Sequence, residues 1–179
     1  MKAAFGKDKM ATIYGTQYSD NNTWRIVREG SILDFRFFPQ INGTDTSDTI
    51  YALGGNDIVD ARGGNDTVYG GLGNDTLIGG SGRNTLNGGS GNDLLDARSG
   101  SNTLNGGSGS DVFFLSTTSY AYITDFEDGV DRIRGLDFNS VDIYQFGNNT
   151  FITDTTGNIA YGLLANVDAS LITAADFIA

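Results

Sequence analysis

The sequence predicts an all-β repeat fold in which short strands alternate with glycine-rich turns. The first observation is a nine-residue period that runs without interruption through residues 43–114. The second is glycine, which supplies 26 of the 179 residues and crowds the first, second and fourth positions of the period. The third is an apolar residue at the eighth position of every nine-residue unit, in the middle of a stretch that fits a short strand. A fixed period indicates a repeat architecture, and we consider it before any local motif.

The period divides residues 43–114 into eight units, of which the clearest is residues 70–78, Gly-Gly-Leu-Gly-Asn-Asp-Thr-Leu-Ile. Glycine allows the positive φ angles of a turn, which residues with a β-carbon adopt only at a cost. The last three positions then form a strand whose middle side chain points inward. The sixth positions hold Asp48, Asp57, Asp66, Asp75, Asn84, Asp93, Asn102 and Asp111. The eighth positions hold Ile50, Val59, Val68, Leu77, Leu86, Leu95, Leu104 and Phe113.

This pattern resembles the calcium-binding RTX nonapeptide Gly-Gly-x-Gly-x-Asp-x-U-x, in which U is apolar. The resemblance implies a right-handed parallel β-roll of two sheets, in which two successive units form one coil. It also implies that Ca²⁺ lies between stacked turns, held by sixth-position aspartates of two coils and by turn carbonyls. Such oxygen ligands suit a hard cation that takes about six to eight of them. The implied ligands are Asp48, Asp57, Asp66, Asp75, Asp93 and Asp111, the turns at Gly55, Gly64, Gly71, Gly73, Gly89, Gly91, Gly107 and Gly109, and more weakly Asn84 and Asn102.

Alternation of the units predicts two unequal turn edges. We call them the aspartate edge (Asp57, Asp75, Asp93, Asp111) and the mixed edge (Asp48, Asp66, Asn84, Asn102). Arg83 and Arg98 also enter turns of the mixed edge. An amide brings no charge, and a guanidinium repels a cation or takes its place. We therefore expect about three ions on the aspartate edge, one between Asp48 and Asp66, and about four to five in all. The alternative, that asparagine ligates adequately through its carbonyl oxygen, stays open.

Composition limits the classes of function. The formal net charge is −11, which argues against nucleic acid as a partner because phosphate binding needs a basic face. No apolar run approaches the roughly eighteen residues of a transmembrane helix. The chain has no His and no Cys, so zinc-protease, Ser-His and Cys-His chemistries are absent. We therefore expect a protein that is not an enzyme.

Residues 1–42 are expected to form an N-terminal cap, which a stack of repeats needs at its open end. Residues 24–27 and 32–38 read as two strands that cover the first coil. Residues 15–20 echo residues 43–48, although Asn22 fills the apolar slot, so a degenerate repeat there is the less supported alternative. Residues 1–10 are expected to be disordered.

Residues 115–179 are expected to form a C-terminal β cap. Residues 122–133 resemble the segment that follows the roll in serralysin-type proteases and alginate-epimerase R-modules. Alternating patterns at residues 141–146, 151–154 and 159–163 predict antiparallel hairpins. Asp125, Asp128 or Asp131 could complete a last calcium site, although solvated turn acids are the more common outcome.

Both ends of the sequence bear on export. Residues 1–9 contain no apolar core of about seven to fifteen residues, so we expect no cleaved signal peptide. Residues 176–179 resemble the acidic-then-hydrophobic terminus of RTX proteins exported by type I systems. The resemblance implies a secreted bacterial protein that passes the type I machinery unfolded and folds in extracellular calcium. A compatible alternative is that Thr173 caps a short final helix through Asp176.

The outward-facing strand positions form a regular column on one sheet, namely Thr49, Tyr51, Thr67, Tyr69, Thr85 and Thr103. Threonine suits a solvated strand, which is the plain explanation. A flat threonine array could instead bind ice, although RTX-like adhesin domains place threonine in the calcium turn. The tyrosines and arginines could alternatively hold an extracellular glycan, as the R-modules do. The overall acidity argues against a polyanion unless calcium bridges the two.

Overall fold

A computed structural model describes residues 11–14, 25–28, 31–32 and 40–178. Within these ranges the fold is all-β, with strands in two sheets and two short 3₁₀ helices, Phe138–Ser140 and Ala174–Asp176. In chain order the strands are β1 Ala11–Tyr14, β2 Arg25–Arg28, β3 Ser31–Ile32, β4 Ile41–Asn42, β5 Asp48–Gly54, β6 Ile58–Asp60, β7 Thr67–Leu72, β8 Thr76–Ile78, β9 Arg83–Ser90, β10 Leu94–Asp96, β11 Ser101–Ser108, β12 Val112–Phe114, β13 Tyr120–Ile123, β14 Arg132–Arg134, β15 Val141–Phe146, β16 Asn149–Asp154, β17 Ala160–Leu164 and β18 Phe177–Ile178.

Each central coil contributes one strand to each sheet. The larger sheet has the order β15-β16-β17-β13-β11-β9-β7-β5-β1-β2-β3, and the smaller has the order β18-β14-β12-β10-β8-β6-β4. Paired strands of successive coils are parallel, and equivalent residues such as Asp57 and Asp75 are 18 positions apart. Two nonapeptides therefore form one coil, and the predicted two-sheet parallel roll is confirmed.

A single row of apolar side chains per strand fills the space between the sheets. All the eighth-position residues, Ile50, Val59, Val68, Leu77, Leu86, Leu95, Leu104 and Phe113, are fully buried. The row continues with Ile13 at one end and with Ile123 and Ile133 at the other. The core is long but narrow, so each coil packs mainly against its neighbours.

The N-terminal end of the larger sheet is covered by β1, β2 and β3. β1 pairs in parallel with β5 and places Ile13 opposite Ile50, and β2 and β3 continue the sheet antiparallel. The strands expected at residues 24–27 and 32–38 correspond in part to β2 and β3. Three expectations concern residues outside the described ranges. They are the rest of the strand expected at 32–38, the degenerate repeat at 15–20 and the disorder of 1–10. β1 is a strand that the period did not predict.

Residues 115–178 extend both sheets past the last repeat. β13 pairs in parallel with β11, and β14 with β12. β15, β16 and β17 form antiparallel hairpins as the alternating pattern predicts, and β17 returns to pair with β13. Thr173 caps the final 3₁₀ helix through a capping box with Asp176, again as predicted, and β18 then pairs with β14. Both sheets thus keep the register of the roll into this region.

Candidate metal centre

The turns of the aspartate edge stack their carboxylates in one column. Asp57, Asp75, Asp93 and Asp111 are each no more than 2% exposed. The backbone N–H of Asp57 donates to Asp75 Oδ1 at 2.8 Å. Asp75 donates in the same way to Asp93 at 2.7 Å, and Asp93 to Asp111 at 2.8 Å. One oxygen of each acceptor carboxylate therefore fixes the stacking of the coils, and the other is left for a different partner.

That second oxygen lies beside a small space between coils. Oδ2 of Asp66, Asp75 and Asp93 is buried and has no hydrogen-bond partner. A β-carbon on Gly70 would overlap both Asp75 Oδ2 and the carbonyl oxygen of Gly88 in the next coil. Two oxygens from successive coils thus flank the same point without a proton between them. Such a cradle fits a hard cation, because a buried charge without a partner is costly.

The turn glycines bring coils together too closely for any side chain. The eight predicted turn glycines all have positive φ, from 96° at Gly107 to 136° at Gly109. A β-carbon at Gly73 would overlap the carbonyl oxygen of Gly55, one coil away. The carbonyls that approach the next coil in this way include those of Gly55, Gly64, Gly71, Gly73, Gly89 and Gly91. Glycine is therefore required both for the turn conformation and for the presentation of carbonyl oxygens.

The donor set consists of hard oxygens from two sources. Within the described ranges, no group of three or more His, Cys, Asp or Glu side chains is arranged to hold a metal by itself. Each gap on the aspartate edge instead brings two carboxylates, and turn carbonyls can supply the remaining ligands. Calcium accepts about six to eight oxygens in flexible geometry. Oxygen ligands without sulfur or imidazole suit calcium rather than a transition metal.

Burial changes the acidity of the stacked aspartates on both edges. It raises the pKa of Asp75 to about 7, and repulsion from Asp93 and Asp57 acts in the same direction, against the hydrogen bond from the Asp57 backbone. Burial likewise raises the pKa of Asp66 and of Asp111 to about 6. A cation between the coils would oppose this effect, because a nearby opposite charge favours the ionised carboxylate.

The mixed edge begins with the same stacking, but its first carboxylate, that of Asp48, already accepts hydrogen bonds from Thr44. Asp48 N–H donates to Asp66 Oδ1 at 2.8 Å, and Asp66 N–H to Asn84 Oδ1 at 2.9 Å. Asp48 Oδ2 accepts hydrogen bonds from the backbone N–H of Thr44 at 2.5 Å and from its hydroxyl at 2.9 Å. Asp66 is therefore the mixed-edge residue with a buried, unpartnered carboxylate oxygen. An ion between Asp48 and Asp66 stays a prediction.

Beyond Asp66, amide groups replace the carboxylate oxygens. Asn84 Nδ2 donates to the carbonyl of Gly79 at 2.9 Å and to Asn102 Oδ1 at 3.0 Å. Asn102 Nδ2 donates in turn to the carbonyl of Ser99 at 2.7 Å. An N–H donor thus lies where the aspartate edge presents an unpartnered oxygen. The amide satisfies the turn carbonyl by itself, so this gap does not need a cation.

The two arginines of the mixed edge have different surroundings. Arg98 pairs with Asp96 at 2.6 Å, and its guanidinium carbon lies 4.0 Å from the centre of the Phe114 ring. Arg83 is exposed, and its backbone N–H donates to Asn65 at 2.9 Å. The Arg98 guanidinium is therefore held by Asp96 and Phe114. The expectation that an arginine repels a cation or takes its place on the mixed edge stays a prediction.

The predicted threonine column lies on the outer face of the larger sheet. Thr49, Thr67, Thr85 and Thr103 stand opposite one another in successive strands. Beside them the rings of Tyr51 and Tyr69 stack with centroids 5.0 Å apart. The column continues into the exposed Tyr122, which pairs with Thr103 and which the nine-residue period could not predict.

The repeats match a described family. The profile named "RTX calcium-binding nonapeptide repeat (4 copies)" matches residues 42–77 and 78–113. These residues are RTX repeats. Calcium binding is the property in the name of the family, and the oxygen cradles of the RTX roll fit it. No curated protein matches the chain. Within the described ranges, no helix has the length and apolar character needed to cross a membrane.

Two solved structures are similar to this chain. The extracellular lipase LipA from Serratia marcescens aligns over 98% of this chain and 41% of its own, with 14% identity and a TM-score of 0.39. The AlgE6R3 subunit of the mannuronan C5-epimerase from Azotobacter vinelandii aligns over 78% of each chain, with 24% identity and a TM-score of 0.35. The chain thus spans about two fifths of the lipase, at 41%.

Proposed function

We propose that this chain is a secreted calcium-binding module whose RTX roll folds when it meets extracellular calcium. The observation that carries the proposal is the buried and unpartnered Oδ2 of Asp66, Asp75 and Asp93. A buried charge that lacks a partner destabilises the fold, and a cation supplies that partner. Because the core is only one side chain wide per strand, metal binding becomes a large part of the folding free energy.

The proposed ions follow the two edges. Three gaps on the aspartate edge each lie between two carboxylates, namely Asp57 with Asp75, Asp75 with Asp93, and Asp93 with Asp111. On the mixed edge, Asp66 is the ligand that an ion would use. The amide pair of Asn84 and Asn102 leaves the gap between them without need of a metal. The repeats should therefore hold about four ions.

A calcium titration tests this proposal. Far-UV circular dichroism would be recorded from excess chelator to about 10 mM calcium, above the range of roughly 0.1–1 mM in which extracellular modules bind. Native mass spectrometry would count the ions at saturation. We expect a cooperative transition from coil to β structure with about four ions in the repeats. Magnesium is the control and should not drive folding at the same concentration, because it requires near-octahedral coordination. Full β structure in chelator would contradict the folding switch.

We further propose that secretion relies on this switch. Calcium in the cytosol is far below the level that fills sites with a dissociation constant of about 0.1–1 mM, so the chain would stay unfolded until it leaves the cell. Expression in a bacterium with and without a type I exporter tests this. The protein should reach the medium only when the exporter is present. Retention in the cell despite an active exporter would contradict this route.

A carbohydrate-binding role is the second candidate, and the exposed aromatic side chains of the larger sheet favour it. Tyr69, Tyr122 and Tyr144 are 37–42% exposed, and Tyr51 and Tyr69 already stack on each other. Flat rings in a row can stack on sugar rings. A glycan array should retain the protein in calcium and release it in chelator. A Tyr122→Ala variant that folds normally should bind less, and unchanged retention would exclude this surface.

A further inference from the structure

We propose that a cleft beside the last strand of the smaller sheet binds a small apolar molecule that carries one acidic group. The cleft has a volume of about 470 Å³ and lies between the residues that follow β14 and those of β18. Binding sites for small molecules commonly measure about 300–1,000 Å³. The inference goes beyond calcium binding, because none of the residues that line the cleft is a proposed calcium ligand.

The walls of the cleft are mainly apolar. The residues that line it with apolar side chains are Leu136, Phe138, Ala174, Phe177 and Ile178. The rings of Phe138 and Phe177 meet edge to face, with their centroids 5.3 Å apart. Ile178 is 38% exposed, so the wall is open to solvent on that side. Covering such a wall with an apolar ligand is favourable, because it removes apolar surface from water.

Arg134 brings a positive charge to the rim of this cleft. It lies opposite Ile178 in the register of β14 and β18, and the next residue, Gly135, lines the cleft. Among the described residues, no carboxylate forms an ion pair with Arg134, and no group accepts a hydrogen bond from its side chain. The N–H donors of the guanidinium are therefore available to an acidic group.

The Phe114 ring connects the cleft to a second guanidinium. A β-carbon on Gly135 would overlap this ring, so the ring packs directly on the backbone of the cleft. The guanidinium carbon of Arg134 lies 5.2 Å from the centre of the ring, and that of Arg98 lies 4.0 Å from it. Asp96 pairs with Arg98 at 2.6 Å. Two cationic groups and one carboxylate thus share one ring, which leaves a net positive charge beside the cleft.

Basic side chains are scarce in this acidic chain and are concentrated beside the cleft. Residues 40–178 contain five of them, namely Arg62, Arg83, Arg98, Arg132 and Arg134. Arg98 and Arg134 contact Phe114, and Arg132 precedes Arg134 by two positions on the same face of β14. The guanidinium of Arg132 donates to two backbone carbonyls, and within the described ranges it has no carboxylate partner. A cationic ligand would be repelled here, so the charge selects an acidic one.

Asp137 also lines the cleft and would oppose an anion close to it. Its Oδ1 accepts hydrogen bonds from the backbone N–H of Asn139 at 3.0 Å and from the Asn139 side-chain amide at 3.2 Å. That carboxylate thus caps the 3₁₀ helix Phe138–Ser140. The acidic group of a ligand should therefore lie on the Arg134 side, with its apolar part against the two phenylalanine rings.

Displacement of a fluorescent probe tests the inference on the unmodified protein. The probe is 8-anilinonaphthalene-1-sulfonate, which joins aromatic rings to one sulfonate, and the full chain is kept in saturating calcium. We expect one saturable site from which octanesulfonate displaces the probe. Octanol and octyltrimethylammonium should displace it about tenfold less effectively, because neither can accept a charge-assisted hydrogen bond from Arg134. No saturable binding, or equal displacement by all three compounds, would overturn the inference.

Matched variants locate the site. Arg134→Gln should weaken the binding of octanesulfonate about tenfold, whereas Arg83→Gln removes the same charge from the larger sheet and should leave the affinity unchanged. Arg134→Lys keeps the charge and should retain most of the binding. Equal losses in Arg134→Gln and Arg83→Gln would show a general effect of net charge and would overturn the inference.

A second pair of variants tests the cleft itself. Ala174→Trp fills the cleft and should abolish binding, whereas Ala175→Trp lies next to it on the same 3₁₀ helix, outside the lining, and should not. Far-UV circular dichroism in calcium checks that each variant keeps its β structure. Unchanged binding in a folded Ala174→Trp protein would overturn the inference. The number of bound calcium ions should be the same in all variants, so that result would leave the proposed calcium function intact.

Discussion

We infer that the sixth residue of each RTX unit determines whether the gap beside it needs a cation. Asp75 and Asp93 place a carboxylate oxygen without a partner next to a turn carbonyl, whereas Asn84 places an N–H donor there. Asp and Asn have nearly the same shape, so the coils stack alike in both cases. The difference is electrostatic, because two oxygens require a cation between them and an amide already supplies a proton.

Replacing Asn84 by Asp should therefore create a calcium site. The variant removes the hydrogen bond from Asn84 Nδ2 to Gly79 and leaves two carboxylates, at positions 66 and 84, on either side of one gap. We expect Asn84→Asp to bind one ion more than the unmodified protein by native mass spectrometry. Asn148→Asp adds the same charge on an exposed turn and should not change the count. If both variants bind the same number, the amide does not control occupancy.

Glycine at the turns is required for two reasons that can be separated by substitution. Gly73 and Gly157 both have positive φ, at 117° and 71°. A β-carbon on Gly73 would overlap Gly55, whereas one on Gly157 would have no atom within 4 Å. Gly157→Ala should lower the free energy of unfolding only by the cost of the backbone conformation, about 1–2 kcal/mol. Gly73→Ala should lower it by about 1–3 kcal/mol more, because the added β-carbon overpacks the contact between coils. Urea unfolding in saturating calcium measures both, and equal losses would contradict the close approach of the coils.

Each strand contributes one inward apolar side chain, so truncation of a single one should lower the free energy of unfolding considerably. Leu86 is fully buried and lies between Val68 and Leu104 in the larger sheet. Leu86→Ala should lower the free energy of unfolding in saturating calcium by about 2–5 kcal/mol. Leu72 is 66% exposed at a turn, and Leu72→Ala should change it by no more than about 0.5 kcal/mol. Similar losses in the two variants would show that the inner row does not dominate packing.

The strands that the sequence predicted are those with a clear period. The nine-residue repeat determined the register of β5 to β12, and alternation identified β15 to β17. β1 was missed, although Thr12, Ile13 and Tyr14 repeat Thr49, Ile50 and Tyr51, because the two copies are 37 positions apart (49 − 12), which is not a multiple of nine. Its sixth position also holds Ala11 instead of an acidic residue.

The residues of the candidate site could likewise be predicted only where they follow the nine-residue period. The carboxylates at regular spacing could be assigned from the sequence, and the structure places them in two columns. Asp131 could not be singled out from Asp125 and Asp128, because two additional residues separate it from the period. Only the pairing of β14 with β12 shows that it continues the aspartate edge. The self-satisfied amide pair of Asn84 and Asn102 likewise depends on contacts between coils, which one unit does not reveal.

The acidity of the whole roll makes its folding depend on the supply of positive charge. The chain carries 22 acidic and 11 basic side chains, and its buried aspartates lie in two close columns. About four bound calcium ions would bring about eight positive charges to a chain with a net charge of −11. Protons are the other cations that can neutralise the columns, so pH and calcium should act on the same groups.

Without calcium, mild acid should therefore stabilise the roll. Burial raises the folded pKa of Asp75 to about 7 and those of Asp66 and Asp111 to about 6, from an ordinary value of 3.8. Between these values the folded state binds more protons than the unfolded state, so its stability rises as the pH falls from about 7 towards about 4. Hydrogen bonds from Thr156 and Ser170 lower the pKa values of Asp154 and Asp168, so these two carboxyl groups titrate below the pH range from about 4 to about 7.

Far-UV circular dichroism in excess chelator measures this effect directly. We expect more β structure at pH 5 than at pH 8, and a change that is complete within the window in which the buried carboxylates titrate. With calcium the dependence should reverse, because protons compete for the same oxygens, and the calcium concentration at half-folding should be higher at pH 5 than at pH 8. A roll that loses β structure on acidification in chelator would show that these carboxylates are not the groups that oppose folding.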